Sequence, residues 1–159
     1  MAARKPAKAA RAKKKTPAKA KAAPRKSGTG NRSLALSSAS PSFTVNDLEK
    51  SLGWYRDVLG FAVEETWKDD GKVVGVSLKA GDVSFMIGQD DWKKGRDRKK
   101  GEGFRIYCET KKSVDDLAKR IEAKGGRLDR GPTDQPWGVR DISLTDPDGF
   151  KITIAAAKR

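Results

Sequence analysis

Two stretches of this chain carry the same succession of signals, and that repetition constrains the fold more than any single motif. In the first, Asn46 followed by Glu49 predicts a helix N-cap with a partner at the third helical position. Leu48, Leu52, Tyr55 and Leu59 then line one helix face that closes at Gly60. Strands are predicted before it, over 34–45, and after it at Phe61 to Trp67, Lys72 to Lys79 and Val83 to Gly88, with turns at Asp69-Asp70-Gly71 and Ala80-Gly81-Asp82. The second stretch repeats the order. Phe104 to Glu109 reads as a strand, Ser113 with Asp116 as a cap, and Val114, Leu117, Ala118 and Ile121 as a helix face stopped by Gly125-Gly126. Strands follow at Arg127 to Arg130, Val139 to Thr145 and Phe150 to Ala155, the last two joined by Asp146-Pro147-Asp148-Gly149. Helix starts at 47 and 113 lie 66 residues apart, and the closing glycines at 60 and 125 lie 65 apart. Two βαβββ units are the economical explanation.

Charge separates this duplicated region from what precedes it. Twelve of the 35 Lys and Arg fall in residues 1–33, and the first acid in the chain is Asp47; the remainder carries 23 basic against 21 acidic residues. Residues 1–33 contain no Leu, Ile, Val, Phe, Tyr or Trp, so they cannot bury enough apolar surface to offset chain entropy. Pro6, Pro17 and Pro24 interrupt any long helix there. The expected organisation is a disordered basic tail over 1–33 and a nearly neutral domain over 34–156. That domain divides into a first module at 34–88, a linker loop at 89–102 and a second module at 103–156.

The chain has no histidine, which removes Ser-His-Asp and Cys-His nucleophiles, histidine metal sites and imidazole acid-base chemistry together. Cys108 is the only cysteine, so no intramolecular disulfide forms. With no long apolar run or secretory signal, the expectation is a soluble protein without a membrane partner, cytoplasmic, and nucleoid-associated if the tail engages nucleic acid.

Val45-Asn46-Asp47-Leu48-Glu49-Lys50-Ser51-Leu52 and Trp54-Tyr55-Arg56-Asp57-Val58-Leu59-Gly60-Phe61, with Gln135-Pro136-Trp137-Gly138 and Asp146-Pro147-Asp148-Gly149 near the end, resemble the vicinal oxygen chelate superfamily of glyoxalases, bleomycin resistance proteins and extradiol dioxygenases. The likeness spans roughly residues 34 to 156. It implies an α+β fold in which two βαβββ modules form an eight-stranded, cup-shaped mixed sheet, with the ligand on the concave face and the cup often completed by a second subunit, hence a homodimer. Metal sites of the superfamily take one His or Glu from each of four strands. Motif spacing carries those positions onto Ser40, Met86, Arg105 and Thr153, which are not a ligand set for a divalent ion. The expectation is therefore no metal, no cofactor, and neither glyoxalase nor dioxygenase chemistry.

A cup without a metal still binds. Alternation places Arg105 and Tyr107 on one strand face, and Lys151 and Thr153 on one face of the last strand. If those faces are concave, a cation, a phenol and a hydroxyl converge within apolar walls and suit an anionic or aromatic small molecule. The bland alternative pairs Arg105 with Glu109 or a loop acid. The linker holds Trp92, Lys93, Lys94, Arg96, Arg98, Lys99 and Lys100, broken by Gly95 and Gly101. It reads either as a lid, with Trp92 over the cup and Arg96 or Arg98 gripping an anion, or as a solvated connection. Trp67 and Trp137 are pocket candidates, whereas Trp54 reads as packing. Gly101-x-Gly103 lacks the flanking strand and helix of a dinucleotide site. Asp146 and Asp148 read as caps for backbone amides, and Cys108 as an inert core residue.

Three functions compete at this point. The first is a metal-independent protein that sequesters or senses a small molecule, though not cationic bleomycin itself, since the domain has no acidic excess to attract it. The second is a metal-independent enzyme using Arg105, Tyr107 or a carboxylate. The third is a nucleoid-associated protein whose tail, similar to those of linker histones, binds nucleic-acid phosphates non-specifically through Lys13, Lys14, Lys15, Lys19, Lys21, Arg25 and Lys26. For the tail, an incidental solubilising extension is the competing interpretation.

Overall fold

The structure, a computed structural model, describes residues 37–158; the tail and its seven candidate cations lie outside the described residues. Strand β1 (Ser42–Val45) leads into helix α1 (Leu48–Gly53), which widens into a π-helical segment, Trp54–Leu59, before β2 (Ala62–Asp69), β3 (Lys72–Ala80) and β4 (Val83–Gln89). The second unit comprises β5 (Arg105–Glu109), α2 (Val114–Ala123), β6 (Leu128–Asp134), β7 (Val139–Thr145) and β8 (Lys151–Ala157). Each unit makes a four-stranded mixed sheet, ordered β1-β4-β3-β2 and β5-β8-β7-β6. In both, the first strand runs parallel to the last and the other pairings are antiparallel. The eight strands are thus two copies of one topology, in an α+β fold.

Strand alternation decides which face meets a helix. In the first sheet Val45, Val76, Leu78, Phe85 and Ile87 are buried with Leu48, Tyr55 and Leu59 of the helical segment. In the second, Ile106, Ile142, Leu144 and Ile152 are buried with Val114, Ala118 and Ile121 of α2. These residues form one continuous core cluster spanning both units. Gly126 lets the units approach: a Cβ there would stand 2.6 Å from Val58 Cγ1 and 2.5 Å from Ile121 Cγ2.

The units are also bolted together by polar groups. Asp146 Oδ1 accepts hydrogen bonds from the backbone N–H groups of Asp148 (2.9 Å) and Phe150 (2.7 Å), and Oδ2 accepts one from the Tyr55 hydroxyl at 2.8 Å. Asp148 accepts from the Asn46 N–H at 2.6 Å and from Ser51 Oγ at 2.7 Å. Tyr55, Ser51 and Asp146 are buried. Burial pushes the Asp146 carboxyl above its ordinary range against the pull of these donors, and burial followed by the Asp146 charge pushes the Tyr55 phenol up. Beside them Arg120 Nη2 donates to the Leu59 carbonyl at 3.2 Å, and the Phe43 and Phe150 rings stand 4.3 Å apart.

Several sequence-derived details are corrected. The α1 cap is Asp47 and not Asn46: Asp47 Oδ1 accepts from the Lys50 N–H at 3.0 Å, while the Asn46 N–H is taken by Asp148. The strand expected over 34–45 is confined to Ser42–Val45 within the described residues. Strand β6 runs four residues beyond Arg130, to Asp134, through Pro132. It lies at the sheet edge with an irregular register, where a missing N–H is tolerated.

Tyr55→Phe removes the only side-chain donor to Asp146 among the described residues while conserving shape. It is expected to lower the unfolding free energy by roughly 1–3 kcal/mol, the cost of leaving a buried acceptor short of a partner, as measured by urea denaturation at neutral pH.

Candidate ligand-binding site

The faces turned away from the helices carry the candidate chemistry. On the second sheet, pairing aligns Arg105 with Lys151, Tyr107 with Thr153, Thr153 with Ser143, and Ser143 with Arg130. Short hydroxyl side chains occupy the middle of this face, where Thr153 and Ser143 are buried beneath longer neighbours. Arg105 Nη1 donates to Thr153 Oγ1 at 2.8 Å, so Arg105 is held by a hydroxyl and not by Glu109 or a loop acid. Arg130 donates to the buried Asp141 at 2.7 Å, and Gln135 Nε2 donates to the same oxygen at 2.9 Å. Arg105 and Lys151 therefore stand directly opposite each other with like charge, and among the described residues neither forms a salt bridge. Tyr107 is half exposed at the outer strand.

The first sheet presents a different surface. Met86 stands between Ser42 on β1 and Ser77 on β3, and Ser40 Oγ lies 2.5 Å from Ser84 Oγ. Trp67 lies opposite Gly75, whose hypothetical Cβ would fall 2.9 Å from the indole Cε3, so the ring rests on bare backbone. The result is a floor of small residues with a thioether and an indole above it.

The structure thus brings Arg105, Tyr107 and Thr153 together on one sheet, and Ser40, Met86 and Trp67 on the other. Trp137 projects from the β6–β7 turn, 66% exposed. Trp54 packs edge-on against Tyr55 with ring centroids 5.0 Å apart. Cys108 is half-buried against the core, and burial pushes its thiol pKa up.

The linker folds around one carboxylate. Asp90 Oδ2 receives Lys100 Nζ, Arg98 Nη2 and, at 3.2 Å, Thr44 Oγ1; Oδ1 receives the Trp92 N–H at 2.9 Å. Trp92 is held at a left-handed φ of 59°, with the Arg96 guanidinium 4.6 Å from its ring centroid. Arg98 is thus spent on Asp90, and Arg96 covers the indole. The Lys100 ammonium first, then the Trp92 amide and Arg98, hold the Asp90 carboxyl well below the usual carboxylate range. Two clefts flank the Lys100–Glu102 stretch. One, of about 380 Å³, lies against Phe104, Arg105, Gly149 and Lys151; the other, of about 400 Å³, lies against Ser42, Thr44, Arg98 and Phe150.

The residues at the four positions implied for a metal do not fit one. Arg105 has no lone pair to give, Thr153 accepts from Arg105, and Ser40 is engaged with Ser84. Among the described residues no cluster of three or more His, Cys, Asp or Glu could hold an ion.

Sequence reasoning missed the Asp90 knot, the buried Asp141 and the place of Lys151 opposite Arg105. Asp90 at a strand end followed by a run of cations was a readable signal for the first. The second follows from alternation, which sets Asp141, Ser143 and Thr145 on one strand face.

Residues 37–154 match the family model described as the glyoxalase/bleomycin resistance protein/dioxygenase superfamily. The structure is similar to TioX from Micromonospora sp. ML1, with a TM-score of 0.62, 18% identity and coverage of 76% of this chain and 99% of that one. It is similar to a glyoxalase/bleomycin resistance protein/dioxygenase from Nocardioides (TM-score 0.62, 17% identity, 80% and 88% covered). It is also similar to TnmS3, an antibiotic-binding protein from Streptomyces sp. CB03234 (TM-score 0.59, 22% identity, 79% and 100% covered). No curated protein sequence matches the chain.

Because the Asp90 pKa is depressed on folding, its stabilisation is present above about pH 4, the ordinary aspartate value, and is lost as pH falls below it. Asp90→Asn is expected to lower the urea midpoint at pH 7 and to make its decline between pH 4.5 and pH 2.5 shallower than in the wild type, followed by tryptophan fluorescence.

Proposed function

The chain belongs to the glyoxalase/bleomycin resistance protein/dioxygenase superfamily, and from that premise we propose that it binds an anionic small molecule bearing an aromatic portion, sequestering or sensing it without a metal ion. The observation that carries this reading is the pair Arg105 and Lys151, opposed across two strands and, among the described residues, engaged in no salt bridge. Like charges placed so cost stability unless a counter-charge joins them, and a bound carboxylate or phosphate supplies it through charge-assisted hydrogen bonds. Thr153 orients the Arg105 guanidinium. Tyr107 and the buried hydroxyls of Ser143 and Thr153 offer further hydrogen bonds beside it.

The aromatic preference rests on the first sheet. Trp67 on the Gly75 backbone and the Met86 thioether make a surface for a flat apolar group. Trp67, Val73, Phe104 and Tyr107 are exposed although large and apolar. In the proposed assembly a second copy lays its first sheet over the second sheet of its partner, so that Ser40, Met86 and Trp67 of one copy face Arg105, Tyr107 and Thr153 of the other. Trp92 with Arg96, and Trp137, would border the opening. That TnmS3, a protein of similar fold, is described as antibiotic-binding supports small-molecule capture as the reading for this chain.

A thermal-shift panel of aromatic carboxylates and aryl phosphates tests this. At least one compound is expected to raise the melting temperature of the wild type, with binding unchanged by EDTA. Arg105→Met and Lys151→Met are each expected to weaken it about 10- to 100-fold, the equivalent of one charged hydrogen bond. Sedimentation is expected to show a dimer. A panel that leaves the melting temperature unmoved, or binding indifferent to both substitutions, would reject the reading.

A further inference from the structure

The folded domain leaves one sequence feature unused, the twelve cations in residues 1–33, unaccompanied by any acid. Among the described residues the densest run of cations is the linker, with Lys93, Lys94, Arg96, Arg98, Lys99 and Lys100. The structure engages most of these cations within the loop itself, which holds four acids, Asp90, Asp91, Asp97 and Glu102, against its six cations. Arg98 and Lys100 both bind Asp90, and Lys100 is buried in doing so. Lys93 pairs with Asp91 at 3.0 Å and Lys99 with Glu102 at 3.6 Å, while Arg96 lies on Trp92. Elsewhere Arg130 is taken by Asp141, and Arg140 by Asp115 and Asp134. The domain carries 23 basic against 21 acidic residues and its most basic loop keeps a net charge of only +2, so twelve of the fourteen net charges lie in the first 33 residues.

We propose that residues 1–33 are an arm that grips the phosphate backbone of duplex nucleic acid, and that the linker loop adds little to that affinity. Double-stranded DNA carries about one charge per 1.7 Å of axis and a condensed ion atmosphere, so each neutralised phosphate releases counterions and drives binding. The arm has no aromatic side chain to serve as a stacking platform for unpaired bases, so backbone charge and not base exposure governs its affinity. It also has no Leu, Ile, Val, Phe, Tyr or Trp to enter a bilayer interface, which leaves a membrane only its weaker surface potential. Binding is accordingly independent of base sequence and steeply dependent on salt. The inference does not rest on the ligand reading above, since it concerns residues outside the described domain.

Fluorescence anisotropy with labelled 20-base-pair duplex DNA and duplex RNA, using the full chain between 50 and 200 mM salt, tests it. Both duplexes are expected to bind, because backbone charge is what the arm meets. A variant carrying Lys13→Gln, Lys14→Gln, Lys15→Gln, Lys19→Gln, Lys21→Gln, Arg25→Gln and Lys26→Gln is expected to bind roughly 10³-fold more weakly at 50 mM salt, with the slope of log K against log salt smaller in magnitude by about 6. Lys93→Gln with Lys94→Gln is expected to change affinity less than twofold. Vesicles containing 30% phosphatidylserine, at matched anionic charge, are expected not to displace the duplex. The proposal is overturned by no duplex binding at 50 mM salt, by binding that survives the sevenfold variant, by a tenfold preference for single strands, by displacement onto vesicles, or by a large loss in the Lys93 and Lys94 variant.

Discussion

A buried carboxylate sets the relation between the two halves of this molecule. Asp146 lies in the turn between β7 and β8, and two of its three donors are backbone amides of that same turn. They shape it, and the shape delivers the remaining oxygen to the Tyr55 hydroxyl on the other unit. A buried carboxylate is costly unless its lone pairs are met, so the turn and the helical segment of the first unit are specified jointly. Asp148, two residues on, repeats the arrangement toward Asn46 and Ser51. Apolar contacts across the same boundary, such as Phe43 with Phe150, are less directional and follow the register these bonds impose.

With the helices occupied on one face of each sheet, the opposite faces are left for recognition. The two are chemically unlike although the units share a topology. One is paved with serine and glycine around Met86 and Trp67, and the other carries guanidinium, ammonium, phenol and hydroxyl groups. A duplicated scaffold can diverge in this way because residues at alternate strand positions face outward and do not constrain the core. The linker shows the same economy: Asp90 gathers Arg98, Lys100 and Thr44, and this ties a basic segment back onto the first sheet.

Much of the domain could be read from local patterns. Leu48, Leu52, Tyr55 and Leu59 announced a helix face, although their widening into a π-helical segment did not show, because spacings of three and four fit either helix. Strand β7 was placed to the residue, since its apolar alternation is bounded by a glycine and a turn. Strand β6 was cut short at Arg130 because Gly131 and Pro132 look like a stop; the edge position that tolerates them is a property of the sheet. At the candidate site, Arg105 and Tyr107 shared a face by period-two counting alone. That Arg105 is held by Thr153 required knowledge that β5 pairs with β8 and in which register.

The amino-acid order by itself determined the duplicated βαβββ units, the separation of a polycation from a neutral domain, and the absence of any histidine, because each of these depends only on residue type and spacing. The tertiary structure alone decided which charges remain available. Asp90 meets residues eight and ten positions away along the chain, Asp146 meets one 91 positions away, and Lys151 faces Arg105 across two strands. Whether a cation is spent on a neighbour or left to meet a ligand is a matter of distance in space, and the fold alone sets those distances.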